Sequence, residues 1–223
     1  MAILEWPVGV VAVYLCFLFV AFARADEPLP YPNLTPEQEA KLSKGEPVLR
    51  EEQFTDDKGH RVGRGVVYIV IDAPPEKIWD VILDYDHYAE FYPNVHKAEI
   101  TKKEGNHIYV YFVLNALGVL KIKYNIDHTF HKDENRLTWK MDQSKKNDFK
   151  ESIGFWQIWP RKDGKSLVCY SVYVETGRWI PGFLQKAVDS LGITSWALGK
   201  VATCMKNRVE QGEAYKGEED RKL

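Results

Sequence analysis

The chain has 223 residues, 45% of them hydrophobic and 13% aromatic, with a formal net charge of −2. That length favours one domain with a sizeable core. The near balance of charge excludes the broad positive field that nucleic acid or an anionic membrane would select, so no nucleic-acid partner is expected.

Residues 8–23 (VGVVAVYLCFLFVAFA) carry no charge and run into Ala23-Arg24-Ala25, a pattern that suits cleavage before Asp26. Residues 1–25 therefore read as a signal peptide, and the rest as an exported protein, periplasmic, secreted or lumenal. The opening MAILEW has Glu5 and no Lys or Arg, which keeps a short uncleaved membrane anchor as the second reading. The apolar run is shorter than the ~20 residues of a comfortable span, which favours the signal. After cleavage two cysteines remain, Cys169 and Cys204, either as a disulfide or as two separately buried thiols. With no C-x-x-C and no H-E-x-x-H in the chain, no metal or other cofactor is expected.

Residues 26–45 read as a linker and a short helix. Three prolines extend residues 26–34 (DEPLPYPNL), Thr35 caps the helix with Pro36 in the first turn and Gln38 at the third position, and Gly45 ends it. Residues 66–71 (VVYIVI) are a strand by composition. A helix follows over 75–83, with Ile78, Val81 and Ile82 on one face, and Asp86 is placed to cap a second over 87–92.

Strands are then expected over 95–102, 108–114, 120–131, 136–142, 153–160 and 167–176. The third is the clearest, with Leu120, Ile122, Tyr124, Ile126, His128 and Phe130 alternating with polar residues. Such alternation marks an antiparallel strand with one wet face. Residues 144–150 (SKKNDFK) form a charged loop in which Lys145, Lys146 and Lys150 interleave with acidic neighbours, a solvated surface. Apolar or small residues at 184, 188, 191, 195, 198, 202, 205 and 209 mark one face of a long helix over 181–211. Residues 212–223 read as a disordered charged tail. The order defines an α+β domain over 46–211, a curved antiparallel sheet of about six to seven strands wrapped around a long C-terminal helix, with two short helices after the first strand.

Residues 70–84 (VIDAPPEKIWDVILD), running into 85–95 (YDHYAEFYPNV), resemble the opening signature of the START-like helix-grip superfamily, also called SRPBCC. More narrowly they are similar to its polyketide cyclase/dehydrase and coenzyme-Q-binding-like lipid-transport branch. The resemblance implies the helix-grip fold and a cavity between sheet and last helix. It also implies a hydrophobic small molecule or lipid as partner, with cyclase chemistry in a minority of members.

The densest charges, Asp84, Asp86 and Glu90, do not make an acid/base set. Asp84 and Asp86 are two apart and diverge, while Tyr85, Tyr88, Phe91 and Tyr92 share the buried face. The carboxylates read as helix punctuation and the aromatics as an anchor. No catalytic residue is therefore expected. The candidate ligand-binding residues are Tyr124, His128, Trp139, Trp156 and Tyr170 on the strands, with Leu184, Val188 and Leu191 on the last helix. Each has a second reading as plain core, His128 included. The alternative function is a cyclase or dehydratase acting on a polyketide-like substrate, with His128 and Tyr124 or Tyr170 as the acid/base pair. A third reading is an interaction module with a vestigial cavity. At the junction before the last helix, Trp179 and Phe183 either staple its start or make transient membrane contact during loading, with Arg178 at the headgroups.

Overall fold

The computed structural model describes residues 29–55, 59–116, 120–176 and 193–212. The expected signal peptide, the 178–183 junction, residues 181–192 of the expected long helix and the tail after 212 lie outside the described residues. The elements are α1 (Pro36–Ser43), β1 (Val48–Thr55), β2 (Arg61–Ile71), α2 (Pro75–Ile82), a 3-10 turn (Tyr85–His87) leading into α3 (Tyr88–Phe91), and β3 (Val95–Glu104). There follow β4 (His107–Ala116), β5 (Leu120–His131), β6 (Arg136–Met141), β7 (Phe149–Pro160), β8 (Ser166–Thr176) and α4 (Ile193–Gln211).

The fold is α+β. Eight strands form one sheet in the order β1-β2-β8-β7-β6-β5-β4-β3, and every neighbouring pair is antiparallel. This is at least one strand more than the six to seven expected. The additional strand is β1, which pairs with β2 from Val48↔Tyr68 to Thr55↔Arg61. Its sequence VLREEQFT buries only its first residue fully, because Arg50 and Glu52 face the sheet's outer side. There Arg50 lies over the Tyr68 ring at 5.2 Å and Glu52 pairs with Arg64 at 3.0 Å. With charged residues at the two middle positions of that face, no hydrophobic period is left to read. At the other edge, β3 loses register with β4 twice, between Val95 and Lys97 and between Ile100 and Lys102.

The two halves of the sheet differ in how they are covered. In β2 both faces are buried: Val66, Val67, Tyr68 and Ile69 are each 5% exposed or less. Val67, Ile69 and Ile71 join the inner core. Val66, Tyr68 and Val70 join an outer cluster with Leu42, Val48, Phe155, Leu167 and Cys169. That outer cluster is roofed by α1 and residues 29–34. Thr35 and Gln38 close the capping box of α1 as the sequence predicts. Trp159 donates its indole N–H to the Leu29 carbonyl at 2.9 Å, and Arg50 donates to Asn33 O at 2.8 Å. An unbroken apolar run is what burial on both sides requires. β5, whose outer face is wet, alternates instead. Cys169 in this outer layer and Cys204 on α4 are both buried and no disulfide joins them.

α4 lies along the inner face of β2. Leu198, Ala202 and Met205 are buried on it and Val209 packs against the same core, as their spacing predicts. Its C-terminal half is latched by Lys206 Nζ donating to Val70 O at 2.9 Å, by the Asp72 N–H donating to Glu210 Oε1 at 2.7 Å, and by Arg208 reaching Glu90 at 3.3 Å.

The helix approaches so closely that a Cβ at Gly65 would stand 2.2 Å from Leu198 Cδ1. Gly65→Ala should therefore destabilise the fold by about 1–3 kcal/mol in urea unfolding. The double variant with Leu198→Ala should lose less than the sum of the two single changes, because both act on one contact.

Candidate ligand-binding site

The register lines up the inward residues in rows across the strands. One row runs Ile108, His128, Trp139, Gly154, Val172, Gly65. The next runs Phe130, Leu137, Trp156, Tyr170, Val67. Of the five sheet residues expected to line a ligand site, all five thus face the same side, and they pack into one aromatic wall. Tyr170 lies 4.4 Å from Trp156 and 5.6 Å from Trp139, centroid to centroid. Tyr124 stacks on Phe112 at 5.2 Å. Trp139 lies flat over Gly154: a Cβ there would meet Trp139 Cζ2 at 2.2 Å and the Ser171 carbonyl at 2.3 Å. The remaining three, Leu184, Val188 and Leu191, are outside the described residues.

His128 is 6% exposed. The rings of Tyr85, Trp139 and Phe112 surround it at 5.1, 6.0 and 6.2 Å. Burial holds its pKa far below the usual value, at about 3, and a hydrogen bond with the Ile108 backbone offsets only part of that. Its Nδ1 has no hydrogen-bond partner. The tyrosines considered as its acid/base partners hold other contacts. Tyr124 packs between Phe112 and Phe149, and Tyr170 accepts a hydrogen bond from Tyr92. Burial raises the pKa of Tyr85, Tyr124 and Tyr170, the last to about 12. A general base works best with a pKa near the operating pH, and these groups are all held neutral far from it.

The structure adds two residues that sequence spacing assigned only to the anchor. Tyr92 reaches Tyr170, and Tyr85 is 1% exposed with its hydroxyl unpartnered beside His128. The helical stripe shows both as buried. The one available hint is that Tyr85, Tyr88 and Tyr92 carry a hydroxyl into a buried stripe where Phe91 does without. Tyr88 uses its own to bond Ile82 O. The carboxylates are indeed outside the site. Asp86, however, does not cap the second helix. The turn starts two residues earlier, at Tyr85, with Asp84 in the cap position and no side-chain cap bond. Asp84 instead lies 2.7 Å from His87 Nδ1 and raises the His87 pKa.

No charge enters this interior from the sheet. Asp127 is the one buried acidic or basic side chain among the described residues besides the histidine, and it alternates with His128 onto the outer face, paired with His107 at 2.8 Å. The outer face there holds an open trough of about 850 Å³, lined by Tyr109, Tyr111, Asn125, Lys140 and Glu151 among others. It is polar, of mixed charge, and separated from His128 by the sheet. The nearby loop is solvated as expected, with Lys150 paired to Glu175 at 2.7 Å. Among the described residues no three His, Cys, Asp or Glu side chains converge on a metal-sized site.

A long sheet gripping a helix, with an interior that is aromatic and uncharged among the described residues, defines a ligand-binding α+β fold. A family model described as polyketide cyclase/dehydrase and lipid transport matches residues 71–192, more than half of the chain. The chain belongs to that family. Solved structures agree on the fold. A protein from Thermus thermophilus superposes with a TM-score of 0.58 at 18% identity, covering 67% of this chain and 98% of its own. A STAR-related lipid transfer protein from Xanthomonas axonopodis gives 0.54 at 16%, with 72% and 99% covered. The Zhui aromatase/cyclase from a Streptomyces species gives 0.53 at 13%, with 74% and 99% covered. No curated protein sequence matches the chain.

The buried imidazole makes a pH prediction. Its folded pKa lies below its unfolded one, so the unfolded chain binds the extra proton and the stability His128 contributes is present above pH 6.5 and drains as pH falls toward 3. The loss approaches about 1.4 kcal/mol per pH unit inside that window. His128→Phe should flatten the slope relative to the native chain, as read by urea unfolding between about pH 7 and 4.

Proposed function

We propose that this protein binds and carries a hydrophobic small molecule, of lipid or isoprenoid type, between the sheet and α4 without covalent chemistry. The observation that carries this reading is the inner face itself. Its inward rows are aliphatic and aromatic, its polar atoms are neutral, and Tyr124 and Tyr170 hold contacts other than His128. An apolar pocket with a few placed polar groups is how proteins hold such ligands. The family description names lipid transport beside cyclase and dehydrase chemistry, and a STAR-related lipid transfer protein is among the solved structures that share the fold.

The exported location is part of the proposal and rests on residues 8–25, whose apolar run and Ala23-Arg24-Ala25 suit cleavage before Asp26. Loading from a membrane through Trp179 and Phe183 would suit such a carrier.

Native mass spectrometry of protein purified from its own host, followed by solvent extraction, should yield a bound hydrophobic molecule, and N-terminal sequencing should begin at Asp26. Turnover of a polyketide-like substrate that is lost in His128→Phe would overturn the non-catalytic reading. A reproducibly empty protein that takes up no hydrophobic probe would overturn binding altogether.

A further inference from the structure

Two polar atoms in the interior are left over by the fold. Tyr85 and His128 are 1% and 6% exposed, their rings lie 5.1 Å apart and tilted by 49°, and neither the Tyr85 hydroxyl nor His128 Nδ1 has a hydrogen-bond partner. Buried polar atoms are nearly always paired, so two orphans on adjoining rings need an explanation. Leaving such an atom unpaired disfavours the fold. Phe in place of Tyr85 would avoid that cost with the same packing. The hydroxyl therefore serves something other than the ligand-free fold.

The chemistry of the pair is specific. A neutral imidazole carries one hydrogen, and with that hydrogen on Nε2 the unpartnered Nδ1 is a bare acceptor. The Tyr85 hydroxyl is a free donor. One acceptor and one donor side by side are both satisfied by a single hydroxyl group, which accepts from Tyr85 and donates to His128. An ether or ketone satisfies Tyr85 alone. A carboxylate or phosphate would bring a charge to a wall with no counter-charge, and an ammonium would meet no carboxylate. The surrounding rings of Phe112, Tyr124, Trp139 and Tyr170 present flat apolar faces to the rest of the molecule.

We infer that Tyr85 and His128 form a polar anchor for the hydroxyl group of an uncharged, ring-bearing or unsaturated alcohol or phenol. This rests on the ligand-carrying function proposed above and names the class of molecule that the site selects. No covalent bond is made or broken.

Three probes of one ring system separate the possibilities: 2-naphthol, 2-methoxynaphthalene, which can accept but not donate, and 2-naphthoate, which is charged. Titration calorimetry on the full mature chain should show 2-naphthol bound most tightly, 2-methoxynaphthalene about three- to tenfold more weakly, and 2-naphthoate weakest, as the loss of one neutral hydrogen bond and the burial of a charge require. Tyr85→Phe and His128→Phe should each weaken 2-naphthol by about the same three- to tenfold and leave 2-methoxynaphthalene bound no better than 2-naphthol. The ligand-free Tm of Tyr85→Phe should be unchanged or raised. Equal binding of 2-naphthol and 2-methoxynaphthalene, unaltered in Tyr85→Phe, would overturn the anchor while leaving the carrier reading intact. A Tm several degrees lower in Tyr85→Phe, with unaltered probe selectivity, would assign the pair to an internal water and overturn it as well. Failure of all three probes to bind the native chain would overturn the carrier reading and the anchor with it.

Discussion

One row across the sheet sets how closely everything else can approach. It passes from Ile108 through His128, Trp139, Gly154 and Val172 to Gly65, and two of its members have no side chain. Gly154 lets the Trp139 ring lie down on the backbone, and Gly65 lets Leu198 bring α4 against β2. Between these two lowered points the helix and the aromatic wall close on one interior. With side chains at both positions, helix and indole would each be pushed off the sheet, and His128 would lose the ring that packs beside it. Interiors pack at near-crystalline density, so such displacements are not absorbed locally.

The polarity of that interior follows from strand alternation. β5 places Asp127 and His128 on opposite faces although they are adjacent in sequence. The carboxylate finds His107 on the outer surface, and the imidazole is left among rings. The same alternation keeps the mixed charges of the outer trough from reaching the inner wall. Among the described residues the inner wall of the sheet carries no carboxylate and no free cation, an environment in which a neutral group costs less to bury than a charged one.

Much of this is legible in the residues. The inward direction of Tyr124, His128, Trp139, Trp156 and Tyr170 follows from period-two alternation wherever one face of a strand is wet. The register of α4 at Leu198, Ala202 and Met205 follows from steps of three and four. The stretch from Asp84 to Tyr92 separates by spacing into solvated carboxylates and buried aromatics. What escapes has physical causes. β1 has no continuous apolar stripe, because Arg50 and Glu52 stand between Val48 and Phe54 on its outward face, Arg50 over the Tyr68 ring and Glu52 paired with Arg64. The burial of β2 on both faces shows only as a run without alternation, which a core helix segment could equally produce. Asp86 resembles a cap because capping is read from residue type, whereas the turn begins two residues sooner than expected. Spacing puts Tyr85 in the interior, but it says nothing of which neighbour a hydroxyl meets across the sheet.

An open sheet has two edges, and an unpaired edge is a template for strands of other molecules. Here the edge formed by β3 slips register twice within ten residues. Each slip turns backbone donors and acceptors out of line and bends the strand, and the ion pairs Lys97–Glu99 and Lys102–Glu104 project from the same segment. An incoming strand could follow it only for a short stretch before losing alignment and meeting charged side chains. The irregularity that interrupts the ladder on β3 thus also ends the sheet there, and keeps a protein rich in β-structure and aromatic residues from growing edge to edge with its own copies.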